Sequence, residues 1–99
     1  MASGTIINNS TGILDWNKIA QVTSPYTPTK YGWLYAAGTT TGSNGYVAIQ
    51  DVGAQMMVTM GFFPSTSTGI GCNCPAVKGH SYKLSTYNSS CDLYFVPVV

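Results

Sequence analysis

The chain contains no arginine and no glutamate, and it has little charge of either sign. Only 7% of its 99 residues are charged, against about 25% in an average soluble protein. Its four lysines and three aspartates lie singly along the sequence. Because nucleic acids and anionic membranes attract clusters of basic residues, neither is an expected partner. No run approaches the roughly 20 apolar residues of a membrane helix, so membrane insertion is not expected either.

Residues that carry catalysis or hold metals are equally scarce. Glycoside hydrolysis requires a pair of carboxylates. With three aspartates and no glutamate, the chain has few residues that could form such a pair. Cys72 and Cys74 are separated by one residue, whereas zinc sites place two or more residues between paired cysteines. Cys72 or Cys74 could form a catalytic triad with His80 and Asp92, but nothing in their spacing indicates that these side chains meet. The sequence therefore predicts no catalytic residue, no metal site and no cofactor.

The cysteine segment has the alternation of a half-buried strand. In residues 69–76, the side chains of Ile70, Cys72, Cys74 and Ala76 fall on one face, with glycines and an asparagine on the other. Buried free thiols are the favoured interpretation, because a free cysteine packs as a small hydrophobe. A disulfide to Cys91 and a structural metal remain as alternatives.

Short apolar and aromatic segments bounded by turn-forming residues recur about every ten residues. This pattern predicts an all-β fold, an antiparallel β-sandwich of about seven to eight strands. We expect residues 1–12 to be a flexible lead-in or the end of a preceding shaft, and residues 13–99 to form the domain. Asp15 is the predicted cap of one short helical turn that covers an end of the sandwich. The strands are predicted at residues 21–24, 31–38, 45–51, 55–63, 69–76, 81–86 and 91–98.

Two of these strands are apolar on both faces. Strict alternation in residues 55–63 puts Met56, Val58, Met60 and Phe62 on one side, opposite further apolar residues. The last strand, residues 91–98, is also apolar on both sides. A single sandwich buries only one face of each strand, so we expect the second face to meet another subunit.

Aromatic residues beside small polar ones suggest where the domain makes contacts. Tyrosine flanked by Ser, Thr, Asn and Gly provides contact area for glycans or proteins at little entropic cost. Trp33 and Tyr35, in the middle of a strand, are predicted to be core residues instead. The main candidate regions are residues 39–44, 65–68 and 87–90. The candidate receptor-contact residues are Tyr26, Thr39, Thr40, Thr41, Ser43, Asn44, Tyr46, Ser65, Thr66, Ser67, Tyr87, Asn88 and Ser89.

Two segments resemble the C-terminal head domains of phage and prophage tail fibres. Residues 15–38, DWNKIAQVTSPYTPTKYGWLYAAG, are similar to the family's opening pattern of a turn, a strand, PYT-P and a glycine-led aromatic strand. Residues 75–99, PAVKGHSYKLSTYNSSCDLYFVPVV, resemble its ending, a V-K-G turn followed by a polar loop and an aromatic strand. Residues 39–68 are not matched. The resemblance implies a trimeric, jelly-roll-like, non-enzymatic tip domain of a virion, made in the host cytoplasm, that contacts a bacterial surface.

Three functions follow as hypotheses. The first is a homotrimeric tail-fibre tip that binds a bacterial surface glycan or protein through hydrogen bonds and aromatic stacking. The second is a structural or trimerisation module of a phage tail or capsid without a receptor. The third, less favoured, is a small thiol or metal enzyme.

Overall fold

The computed structural model describes residues 13–99, so the expected lead-in at residues 1–12 lies outside the described residues. Within that range the chain is almost entirely β-structure, and the predicted all-β sandwich is confirmed. The strands are β1 (Ala20–Val22), β2 (Gly32–Thr40), β3 (Gly45–Asp51), β4 (Met56–Phe63), β5 (Gly69–Ala76), β6 (Tyr82–Tyr87) and β7 (Ser89–Pro97).

The strands form two antiparallel sheets. One sheet has four strands in the order β1-β7-β2-β5, and the other has three in the order β4-β3-β6. The predicted bounds of β3 and β5 match the structure, since a glycine begins each of these strands and a turn follows it. β7 begins at Ser89, two residues before its predicted start, because its pairing with β2 extends to the end of both strands.

The core lies between the inner faces of the two sheets. Leu34 and Ala36 of β2 pack in one cluster with Val47 and Ile49 of β3. Full burial of a leucine, valine or isoleucine side chain contributes roughly 1.5–3 kcal/mol to folding. The other buried members are Ile70, Cys74, Ala76, Tyr82, Leu93 and Phe95.

The prediction that Trp33 and Tyr35 belong to this core is wrong. Because side chains alternate along a strand, burial of Leu34 and Ala36 turns Trp33 and Tyr35 to the outer face of the four-stranded sheet. Both are half-buried there. The indole Nε1 of Trp33 donates a hydrogen bond of 2.9 Å to Asn73 Oδ1 on β5.

A single 3₁₀ turn, Trp16–Lys18, precedes β1. Asp15 caps it as predicted, since its carboxylate accepts a hydrogen bond from the backbone N–H of Asn17 at 3.2 Å. The turn does not cover an end of the sandwich, however. Trp16 packs on Tyr35, with the ring centroids 5.2 Å apart, so the turn lies over the outer face of the four-stranded sheet.

A β-bulge in β4 overturns the predicted face assignment of that strand. Ile49 pairs with Thr59 and the next residue, Gln50, pairs with Met57, so Val58 has no opposite residue on β3. The extra residue breaks the strict alternation. Met57 therefore shares the outer face with Met60 and Phe62, whereas Met56 and Thr59 pair with residues on the core side of β3. In the described residues, no helix is long and apolar enough to cross a membrane.

Candidate binding surface

Three connections that are far apart in sequence meet at one end of the sandwich. They are the β2–β3 turn (residues 41–44), the β4–β5 turn (residues 64–68) and Asn88 between β6 and β7. We call this region the loop end. The N–H of Thr41 donates to the carbonyl of Asn88 at 2.8 Å, and that of Asn44 donates to the carbonyl of Pro64 at 3.1 Å. The three connections are thus joined by backbone hydrogen bonds.

Thr40 holds the β4–β5 turn against the end of β2. Its hydroxyl donates to the carbonyl of Ser65 at 2.7 Å and accepts from the N–H of Thr68 at 2.9 Å. The backbone N–H of Thr40 also donates to the carbonyl of Thr68. Thr40 is only 2% exposed. Although it is among the predicted contact residues, it is buried and its hydroxyl bonds within the protein.

Turn geometry presents the remaining polar residues at this end. Asn44, Ser67 and Asn88 have positive φ angles of 57°, 56° and 47°, a backbone conformation that reverses the chain within few residues. The side-chain amide of Asn88 donates to the carbonyl of Ser43 at 2.9 Å. Thr39, Thr41, Ser43, Asn44, Ser65, Thr66, Ser67, Tyr87 and Asn88 are exposed.

Ser89, Tyr46 and Tyr26 occupy different settings. Ser89 is half-buried and its hydroxyl donates to the carbonyl of Tyr46 at 2.7 Å. Tyr46 and Tyr87 stack across β3 and β6, with centroids 5.9 Å apart and planes 17° from parallel. Tyr26 is not brought to the loop end. It pairs with Tyr82 and packs on Phe95, so it belongs to the opposite end and contacts the core.

The loop end is uncharged. None of the residues in its three connections is Lys or Asp, and its exposed groups are hydroxyls, amides and backbone. Such a surface can bind a ligand through directional hydrogen bonds, while the exposed ring of Tyr87 offers a face for stacking. It offers no ion pair to a charged ligand.

The cysteines face the core, as their alternation predicts, and all three are free thiols. Burial raises the pKa of Cys74 to about 11, so its thiolate is scarce near neutral pH. Cys72 and Cys91 lie on β5 and β7, with β2 between them. Two strand spacings, about 9.6 Å, exceed the Cα separation that a disulfide spans. Cys74 also lies on β5, so this sheet order is incompatible with a bridge from Cys91 to either cysteine.

His80 has a partner that the sequence did not reveal. Its Nδ1 lies 2.8 Å from Oδ2 of Asp51, at the end opposite the loop end. The hydrogen bond from His80 lowers the pKa of Asp51 below its ordinary 3.8. Asp92 pairs with Ala37 on the outer face of the four-stranded sheet, away from the inward thiols. The possible thiol, His80 and Asp92 grouping is therefore not assembled, and residues 13–99 contain no cluster of three or more metal-ligating side chains.

An extensive apolar surface adjoins the loop end. On the outer face of the three-stranded sheet, Phe62, Tyr46 and Tyr87 form one row across β4, β3 and β6. Met60, Ala48 and Ser85 form the next row, and beyond it lies Met57. We call Tyr46, Met57, Met60, Phe62 and Tyr87 the apolar face.

Comparison of the chain with family models, curated proteins and solved structures gives no match. Only the chemistry and geometry of the chain itself therefore bear on its function.

Proposed function

We propose that this chain is a non-enzymatic attachment module, the homotrimeric tip domain of a virion tail fibre, whose loop end binds a glycan or protein on a bacterial surface. The observation that carries the proposal is the junction of three connections into one surface. Their backbones bond to one another, while hydroxyl and amide side chains remain exposed. A surface ordered before binding loses less entropy when it takes up a ligand.

The absence of charge at the loop end favours an uncharged ligand. Hydrogen bonds from Ser, Thr and Asn, together with a tyrosine ring, suit the hydroxyls and the apolar ring faces of sugars. The buried, protonated state of Cys74 and the pairing of His80 with Asp51 favour a binding role over the thiol enzyme hypothesis.

Binding of the fluorescently labelled protein to a panel of bacterial cells and to a glycan array tests the proposal. Ser43→Arg and Thr66→Arg place bulky charged side chains at exposed positions of the loop end. We expect each to weaken binding at least tenfold. Ala54→Arg is the matched control, because Ala54 is exposed in the turn at the opposite end. Equal binding by all four proteins would contradict the assignment of the loop end.

The second candidate is a structural trimerisation module without a receptor. It is favoured by the apolar face, which could support assembly on its own, and by the internal hydrogen bonds of Thr40, Asn88 and Ser89. An intact trimer that binds neither cells nor glycans would support this candidate and contradict the first.

A further inference from the structure

The apolar face is large for a surface left open to water. Phe62 is 58% exposed, Met60 56% and Met57 50%, and Tyr87 at the end of the row is 54% exposed. Ala48, at the centre, is fully covered by its neighbours. The first row is aromatic on all three strands, whereas further along the polar positions Gln50, Ser85 and Lys83 lie on β3 and β6. The apolar side chains are therefore concentrated on β4.

Strand β4 carries this surface to the edge of its sheet. Within residues 13–99, β4 is one of the two outer strands of its sheet and pairs only with β3. Its eight residues include no charge and no proline, two of the features with which proteins block edge strands, and the bulge at Val58 is the one such feature that it has. Met56, Val58 and Phe63 add further exposed apolar side chains along it. A long, apolar edge strand of this kind is a site of association with another chain.

We propose that the apolar face and the adjoining edge of β4 form the interface with a further copy of this chain. This inference rests on the proposed function, because it identifies the surface through which the tip assembles. Six side chains of this surface, not counting Tyr46 and Tyr87 at the border with the loop end, are 38–60% exposed. At roughly 100 Å² for each half-exposed large side chain, they amount to about 600 Å², which is most of the 800 Å² or so that each partner buries in a standard interface. The area thus matches a second protein subunit rather than a small ligand.

Charge favours a copy of the same chain over a different partner. The chain has a formal net charge of +1, so copies repel each other little as they approach. An acidic or basic partner would find only Lys83 to pair with on this face. A second copy supplies the same uncharged aromatic and methionine side chains along β4. Lys83 lies on β6, the strand farthest from β4, so a contact centred on β4 leaves its charge in solvent at the margin.

Sedimentation equilibrium of the full 99-residue chain and of Phe62→Lys and Met60→Lys variants tests the proposal. Both positions are more than half exposed, so the variants should fold, which circular dichroism checks. We expect the wild type to be an oligomer at micromolar concentration and each variant to raise the dissociation constant at least tenfold. Tyr31→Lys is the matched control, because Tyr31 is 56% exposed but lies outside the apolar face. It should leave the assembly unchanged.

Oxidation of Met57 by dilute peroxide gives a second readout. In the wild-type oligomer Met57 should oxidise several-fold more slowly than in Phe62→Lys, because the partner covers it. A monomeric wild type, an oligomer that tolerates both lysines, or equal oxidation rates would overturn the proposal. Binding of bead-coupled Phe62→Lys to bacterial cells tests the proposed function separately, since beads supply the valency that the oligomer loses.

Discussion

The ion pair between Asp51, at the end of β3, and His80 makes the stability of the fold depend on the charge of one carboxylate. The Asp51 carboxylate is largely buried, contacts His80 at 2.8 Å and accepts the backbone N–H of Ala54 at 3.2 Å. These hydrogen bonds favour the ionised carboxylate, which is why the pKa of Asp51 lies below 3.8. The pair joins the β3–β4 turn to the segment that enters β6.

We predict that this carboxylate contributes to acid sensitivity. Because the pKa of Asp51 is lower in the folded chain than in the unfolded chain, its contribution to stability is complete above pH 3.8 and is lost as the pH falls through the folded value. Asp51→Asn should therefore lose less stability than the wild type between pH 5 and pH 2. Urea denaturation across this range measures the difference.

Asp92→Asn is the control for this prediction, since Asp92 is exposed on the outer face of the other sheet. It should keep the wild-type acid dependence. An Asp51→Asn curve parallel to the wild type over the whole range would contradict the assigned role of the hydrogen bond from His80.

The Thr40 hydroxyl supports a second prediction at the residue scale. In Thr40→Val the methyl group fills the same space, but the carbonyl of Ser65 and the N–H of Thr68 lose their partner. Leaving a buried polar group unpaired costs about 1–3 kcal/mol, so the free energy of unfolding should fall by about that amount. Thr39→Val, at the exposed neighbouring position, should change it by less than about 0.5 kcal/mol. Equal effects at the two positions would contradict this account.

These residue-level contacts mark the limit of what the sequence could predict. Asp51 and His80 are 29 positions apart, and their meeting depends on how β3 pairs with β6. The turn residues of the loop end were recognisable by type, because Gly, Ser and Asn favour turns. The sequence could not predict that Thr40 is buried among them, because its burial depends on how the β4–β5 turn folds back over β2.

At the scale of the elements, local signals located the strands but not their faces. Glycines and turn residues bounded β3 and β5 well enough to predict both ends. The bulge at Val58 could not be predicted from the sequence, because it is defined only by the pairing of β4 with β3. Trp33 and Tyr35 were misplaced for a similar reason: both faces of β2 carry apolar residues, and only the opposing sheet determines which face is the core.

A close approach of the two sheets at Gly61 gives the prediction for this scale. A Cβ on Gly61 of β4 would lie 2.1 Å from the carbonyl oxygen of Gly71 on β5. Because backbone must move to relieve that overlap, Gly61→Ala should destabilise the fold by about 1–3 kcal/mol. Gly69→Ala is the matched control, as nothing lies within 4 Å of its added Cβ. Thermal denaturation of the two variants should separate them, and equal midpoints would mean that the sheets do not approach so closely.

At the scale of the whole molecule, the scarcity of charge connects solubility, assembly and recognition. Exposed hydroxyls and amides dominate the loop end, whereas aromatic and methionine side chains dominate the apolar face. The two surfaces adjoin at the stacked Tyr46 and Tyr87 rings. Assembly through the apolar face would therefore place the loop end of each copy beside the subunit boundary, where several copies could bind one bacterial surface together.

The same scarcity predicts how binding responds to salt. Association that depends on ion pairs weakens as salt screens the charges, with a Debye length of about 10 Å at 0.1 M and 3 Å at 1 M. The three connections of the loop end contain no charged residue, so affinity for the bacterial surface should change less than about threefold between 0.05 and 0.5 M NaCl. Ser43→Lys provides the contrast, because its added charge should make any residual binding depend on salt. A tenfold loss for the wild type over this range would show that the lysines elsewhere on the chain, rather than the loop end, make the contact.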